Sequence, residues 1–347
     1  MSIQKVKWIG SGHKDWLNQR REIEGGSNLE IVRFGASDIG TITGVSKYKC
    51  KRRLFYQSIG YHNTEWRTES SVAGHLQEPV IATMWESWCA DQEEFLLNLE
   101  TGKKLRYTKK ADYFLLNSKY PNIFCSIDRL HDGETFSPFT GNKYQELTPI
   151  ELKTTQSAYY KLWEGGITQS YMHQVQTQMM LSETEVAVFC TLVSGFNFNV
   201  MEVEFNKEMA EFIDQSVKEF STLCVAGKQI VDLINSTTDK TEKEEYQAML
   251  SEIEPEALEL EDEQALNKEL NPVSDGEIIG SEKDFIYLEQ YQDASDKIKA
   301  LEADKQLAKN KITTLMGDAE VMKFNSGRVT WRRSEEKRDY FSIKVDR

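Results

Sequence analysis

Two short segments, Ile123 to Asp128 and Pro149 to Lys153, constrain this chain more than any other part of it. Both read as strands, in which successive side chains point to opposite faces. Ile123, Cys125 and Ile127 then share one face and Asp128 lies on the other. Ile150 and Leu152 likewise share a face, and Glu151 and Lys153 project from the opposite one. If the two strands pair, a carboxylate from each meets a lysine at one end of a sheet. That arrangement holds a divalent cation beside a phosphodiester. A pattern this short also arises by chance, and solvated charges at strand ends are its common meaning, so the rest of the chain has to decide.

The order of elements narrows the fold. Residues 36–60 read as two short helices, with Ser37 or Asp38 as a cap and Gly60 as a stop. Residues 68–90 read as a longer helix with Val72, Leu76, Val80 and Met84 as its apolar stripe. Alternation across 95–117 around Thr101-Gly102 predicts a hairpin, followed by the two strands above with a turn-rich insertion between them. A helix over 168–182, a second hairpin split at Ser194-Gly195 and a helix over 207–235 complete an α+β, three-layer α/β/α unit with a mixed central sheet. Beyond it, 236–281 is acidic between Glu252 and Glu263, broken by Pro255 and Pro272, and reads as a linker or weakly structured helix pair. A long helix over 282–316 and a hairpin around Asn325-Ser326-Gly327 form a C-terminal module, 282–347.

Charge bears on the partner. The net formal charge of −14 argues against a nucleic-acid partner, but residues 1–206 hold 22 basic and 24 acidic side chains, whereas 207–347 hold 20 and 32. The acidity therefore lies mostly outside the region carrying Asp128 and Glu151. Two basic clusters, Lys47 to Arg53 and Lys103 to Lys110, are candidates for a phosphate track or for solvated faces. Five scattered cysteines without a CxxC pattern argue against structural zinc and for thiols in a reducing cytoplasm. No apolar run is long enough to cross a bilayer, and residues 1–12 lack the apolar core of a signal peptide, so no membrane partner is expected.

Further residues join the first two segments. Glu78 sits on a helix otherwise apolar, where a carboxylate needs a partner such as a metal. Tyr171, Gln174 and Gln178 fall on one helix face, where amides can bind a water or a phosphate oxygen without neutralising metal ligands. Ser37 at a helix start, with Arg20 or Arg21 nearby, makes a pocket for a terminal phosphate.

The succession Trp16…Arg20, Gly35-Ala36-Ser37-Asp38, Gly74…Glu78, Ser126-Ile127-Asp128, Glu151-Leu152-Lys153 and Tyr171-Met172-His173-Gln174-Val175-Gln176 resembles the phage lambda exonuclease and YqaJ-type recombinase nucleases of the PD-(D/E)xK superfamily. The resemblance spans roughly residues 16–205. Ile127 stands where these nucleases often have proline. It implies a restriction-endonuclease-like nuclease domain over 1–235, with Asp128, Glu151, Lys153 and Gln174 catalytic. Glu78, Asp128, Glu151 and the Leu152 carbonyl would hold Mg²⁺, with Mn²⁺ able to substitute, and Arg20, Arg21, Ser37 and Ser126 would bind DNA or its 5′-phosphate. It further implies 5′-to-3′ digestion of linear duplex DNA, leaving 3′ overhangs for recombination by strand annealing. Double-stranded DNA ends, a single-strand annealing protein and further copies of the chain, in a ring of three, are the implied partners. The host cytoplasm is the expected location if the chain is phage-encoded. Two alternatives stand beside this: a related nuclease of other polarity or endonuclease action, and a non-catalytic DNA-binding scaffold.

Overall fold

The computed structural model describes residues 3–10, 13–61, 69–89, 108–132, 136–137, 139–161, 163, 166–257, 261–270, 282–333 and 340–345. The chain divides into two units, Met1–Pro272 and Val273–Arg347.

In chain order the first unit contains β1 (Ile3–Lys7), α1 (His13–Glu24), β2 (Phe34–Gly35), a 3₁₀ turn (Ala36–Asp38) running into α2 (Ile39–Ile42), α3 (Lys51–Ser58) and α4 (Glu69–Cys89). Then come β3 (Thr108–Lys109), β4 (Tyr113–Asn117), β5 (Ile123–Ser126), β6 (Arg129–His131), β7 (Pro149–Thr155), α5 (Ser157–Tyr160) and α6 (Gln169–Ser182). The unit ends with β8 (Val186–Val193), β9 (Asn197–Glu204), α7 (Lys207–Ser236), α8 (Lys240–Ile253) and α9 (Glu261–Leu270). Two sheets result, ordered β1-β4-β5-β2 and β3-β6-β7-β8-β9. Both are mixed: β2 runs parallel to β5 and β7 parallel to β8, and the other pairings are antiparallel.

Alternation along β7 explains the layering. Ile150 and Leu152 face α4, where Ile81, Ala82 and Trp85 bury themselves with Val188 and Cys190. On the opposite face α6 packs Val175 and Met179 against Ala187 and Phe189. A larger core joins α2, α3, α7, α8 and α9 to β2, β4 and β5 through Phe34, Ile39, Phe55, Ile123, Val217 and Leu266. Helix α6 begins where the Thr168 hydroxyl accepts the Tyr171 N–H and ends at Glu183, which takes a left-handed conformation. The Ser194-Gly195 turn has both residues at positive φ, the geometry of a tight hairpin turn.

Three expectations need correction. The strand ending at Ser126 does not pair with β7. It belongs to the other sheet, and the chain switches sheets between Ser126 and Arg129, after which β6 pairs with β7 through Arg129 and Ile150. The buried stripe of α4 is not the expected one: Leu76 and Val80 are exposed, and Glu78, Ile81, Ala82 and Trp85 share the inward face. Apolar residues at helical spacing existed on two faces, and tertiary contact chose the aromatic one. The cluster Lys47 to Arg53 is neither a track nor a solvated face throughout, because Arg52 and Arg53 are buried. Their partners lie in the acidic segment, which contains α8 and α9. Arg52 pairs with Glu254 at 2.9 Å and Glu263 at 3.0 Å, and Arg53 with Asp262 at 2.6 Å and Glu269 at 2.7 Å. Strand β1 was not anticipated, and the hairpin expected around Thr101-Gly102 lies outside the described residues.

The second unit consists of α10 (Glu282–Met316) and an antiparallel sheet of β10 (Val321–Phe324), β11 (Gly327–Arg332) and β12 (Tyr340–Val345). No helix among the described residues is long and apolar enough to cross a membrane.

Candidate active site

The switch between sheets is what brings the site together. Asp128 stands in the break between β5 and β6, and its Oδ2 accepts the Leu152 N–H from β7 at 2.9 Å. Glu151 points from β7 toward α6 and is 1% exposed. Its Oε1 accepts the Gln174 amide at 2.6 Å and its Oε2 accepts the Gln178 amide at 2.6 Å. Gln174 and Gln178 lie one helical turn apart, so a single helix face presents two donors to one carboxylate. Lys153 pairs with Glu151, and its Nζ lies 5.2 Å from the centre of the Tyr171 ring. The expected helix face of Tyr171, Gln174 and Gln178 is therefore aimed at the expected strand face of Glu151 and Lys153.

The electrostatics of the group are uneven. Burial, and then the charge of Glu151, push the Asp128 carboxyl up to about 8, with Glu78 adding to the effect and Lys153 opposing it. Burial works against the Lys153 charge, but Glu151 and Asp128 outweigh it and raise Lys153 above the usual lysine range. Lys153 is therefore held as an ammonium beside the two metal-free carboxylates. Glu78 is half-buried, and its Oε1 accepts from the His75 ring Nδ1 at 2.7 Å. No three His, Cys, Asp or Glu side chains among the described residues form a ready metal cluster. The donor set nevertheless fits a hard divalent cation: Asp128 and Glu151 supply carboxylate oxygens, brought together where the Leu152 N–H donates to Asp128. The amides hold Glu151 in place without cancelling its charge.

The expected phosphate residues form a second group. Arg20 lies 5.6 Å from the ring centres of both Trp16 and Phe124, which accounts for the i, i+4 spacing of Trp16 and Arg20. Its Nε donates to Glu24 at 2.7 Å and its Nη2 to Asp38 at 2.8 Å. Asp38, which caps nothing with its side chain, also receives Lys49 at 3.3 Å. Burial alone would raise Asp38; Lys49 and Arg20 hold it below the usual carboxylate range. Gly35 leaves room here, because a side chain would crowd the Arg20 guanidinium. Arg20, Arg21, Ser37, Asp38 and Lys49 line one cavity of about 980 Å³. Ser126 is not among its lining residues; it pairs with Phe114 at the end of β5. Arg33 donates to the carbonyls of Pro121 and Ile23.

Sequence reasoning gave Gln178 no separate role, and it left Lys49 inside a general basic cluster. The spacing of Gln174 and Gln178 was a usable signal for the first. Lys49 had none, since its partner Asp38 is chosen by the turn between α2 and α3.

The model of the YqaJ-like viral recombinase domain matches residues 15–185. Among solved structures, the chain is similar to an alkaline exonuclease (LHK-Exo) from Laribacter hongkongensis, with 15% identity and a TM-score of 0.42 over 58% of this chain and 91% of that one. The same exonuclease in complex with dAMP matches with 14% identity and a TM-score of 0.40 over 57% and 91%. A phage related exonuclease from Haemophilus somnus 129PT matches with 13% identity and a TM-score of 0.37 over 58% and 97%. No curated protein matches the chain.

Proposed function

Residues 15–185 belong to the YqaJ-like viral recombinase family, which makes the chain a nuclease, and from that premise we propose a Mg²⁺-dependent exonuclease that digests linear duplex DNA from 5′ to 3′. The observation that supports this most is the meeting of Asp128, Glu151 and Lys153 at the sheet switch, with Gln174 and Gln178 holding Glu151.

Asp128, Glu151 and the Leu152 carbonyl are the groups that would hold the cation, with Glu78 reaching it once released from His75. A divalent cation bound there supplies Lewis-acid polarisation of the phosphate and a nucleophile at neutral pH. Lys153, as an ammonium, offsets charge on the phosphoryl oxygens as they become more negative. Gln174 and Gln178 keep Glu151 in one orientation, and the Tyr171 ring faces the Lys153 ammonium. In the cavity, Arg20, Arg21, Lys49 and the Ser37 hydroxyl receive a 5′-phosphate, and Asp38 keeps Arg20 in position. The overhang left behind is the substrate of a single-strand annealing protein, and assembly of several copies would keep the enzyme on its duplex.

The test uses linear duplex labelled at either the 5′ or the 3′ end, beside a closed circle, in Mg²⁺. Early release of 5′ label, a preference for 5′-phosphorylated ends and an intact circle are expected. Early loss of 3′ label, or cutting of the circle, would replace this reading with a nuclease of other polarity or an endonuclease.

A further inference from the structure

Helix α10 is 35 residues long, about 52 Å at 1.5 Å per residue. From residue 284 to residue 308 every side chain except Ser295 is exposed. Its sequence is not that of a solvated helix. Tyr287, Tyr291, Ala294, Ile298, Leu301 and Ala308 fall on one seam at alternating steps of four and three residues, with Lys305 in the remaining place. That is a heptad seam, which needs a second helix. Tyr291 is 73% exposed, Ile298 56% and Leu301 67%.

We propose that α10 pairs antiparallel with α10 of a second copy of this chain, about a two-fold axis level with the Lys299–Ala300 bond. In this register Ile298 meets the partner's Leu301, and Tyr291 meets the partner's Ala308. Lys305 meets the partner's Ala294, where its stem has room and its head reaches water. Large side chains are matched to small ones at the Tyr291–Ala308 and Lys305–Ala294 layers, and two aliphatic side chains meet at the centre. A parallel pair would instead stack Tyr291 on the partner's Tyr291 and Lys305 on the partner's Lys305, one a crowded layer and the other a like-charge layer. On the flank of the antiparallel seam, Lys297 faces the partner's Asp304, and symmetry repeats the pair.

The ends of the helix support the same register independently. Around its first turns Phe285, Ile286 and Leu288 are exposed as well as the seam, so apolar surface wraps the helix there. At the other end the three-stranded sheet covers the last turns: Met316 and Val329 are buried, and Lys309 Nζ lies 5.0 Å from the Phe341 ring centre. Cross-strand pairing puts Phe324, Ile343 and Val345 on the same face as Val329. Those three are still more than half exposed, so that face is only partly covered. The antiparallel register sets the partner's Phe285 to Leu288 level with residues 311–314, beside this face. One symmetric contact thus covers both apolar ends, as an isologous interface does.

The experiment is light-scattering mass measurement on the full chain. Ile298→Asp with Leu301→Asp is expected to halve the wild-type mass, whatever assembly the first unit contributes. Lys297→Asp alone and Asp304→Lys alone are each expected to weaken pairing roughly ten-fold, from two lost charge pairs. The combined Lys297→Asp/Asp304→Lys variant is expected to recover wild-type pairing, because each new aspartate faces a new lysine. In a parallel pair Lys297 would face the partner's Glu302 and Asp304 the partner's Lys309, and the combined variant would be repelled at both. Helical circular dichroism and hydrolysis of a short duplex, unchanged in all four variants, confirm the fold. A wild-type mass unaffected by the seam aspartates, a monomeric wild type, or a combined variant that stays dissociated would each overturn the proposal.

Discussion

Arg52 and Arg53 lie about as deep in the first unit as Glu151, at 9%, 4% and 1% exposure, but their surroundings differ. Each arginine meets two carboxylates from α9 or from Glu254 just after α8, and Tyr56 adds a hydroxyl to Glu254 at 2.5 Å. A guanidinium offers a planar fork of donors that suits carboxylates, so each carboxylate of this cluster is met by a guanidinium N–H. At Glu151 the chain supplies one lysine and two amides to two carboxylates, and Asp128 is left with a backbone N–H and a raised pKa. Amides orient charge without cancelling it. In the structural cluster each carboxylate is hydrogen-bonded by a guanidinium, whereas Asp128 accepts from a backbone N–H and is where the proposed cation would bind.

The sharpest way to break this contrast is to remove one charge from each cluster. Lys153→Ala should lower duplex hydrolysis per folded molecule at least about a thousand-fold, the scale of losing a preorganised charge stabiliser, on top of any stability lost by leaving Glu151 without its cation. Arg52→Ala should cost about 3–5 kcal/mol of stability because it strands buried carboxylates, with the rate per folded molecule retained. Chemical denaturation and single-turnover hydrolysis on both variants separate the two roles. If Arg52→Ala proved the catalytic defect and Lys153→Ala the folding defect, the comparison would be inverted.

A second effect follows from the acid held at about 8. Divalent-cation binding must displace the Asp128 proton, so affinity should rise about ten-fold per pH unit below pH 8 and level off above it. In the metal-free protein the sign is opposite. The folded-state value is raised above the ordinary value of about 3.9, so the stability Asp128 contributes is complete below that value and is lost as the pH rises through 8. Calorimetric Ca²⁺ titrations between pH 6 and 9 read the first trend. A flat affinity would show that Asp128 is already ionised.

Smaller changes sharpen the picture. Gln178→Met keeps the volume but removes one donor from Glu151, and should lower kcat or cation affinity roughly 10–100-fold, as losing a group that orients a ligand does, with KM for DNA unchanged. Ser37→Ala should reduce the preference for 5′-phosphorylated ends by about two- to ten-fold, the worth of one hydrogen bond. Competition between 5′-phosphate and 5′-hydroxyl duplexes measures it.

What could be read from the sequence followed periodicity. The faces of Glu151 and Lys153, and of Tyr171, Gln174 and Gln178, are fixed by steps of two and of about three and a half residues, so they were legible without tertiary knowledge. The hairpin at Ser194-Gly195 and the helices over 168–182, 207–235 and 282–316 were legible for the same reason. The carboxylate partners of Arg52 lie about 200 residues away, and nothing local distinguishes a buried arginine from a solvated one. The acidic run from Glu252 to Glu263 looked solvated because composition does not reveal that buried arginines await it. Asp128 had the right face but not the right sheet, since the switch after Ser126 depends on which strands β4 and β7 accept as neighbours.

The most direct test of the central claim is Ca²⁺ calorimetry on wild type and Asp128→Asn without DNA, paired with Mg²⁺-dependent digestion of linear duplex by both. The account predicts that the wild type binds the cation and digests DNA only when Mg²⁺ is present. It predicts that Asp128→Asn, still folded by circular dichroism, loses both binding and digestion. Unchanged cation binding in Asp128→Asn, or undiminished digestion by the wild type in excess EDTA, would contradict it.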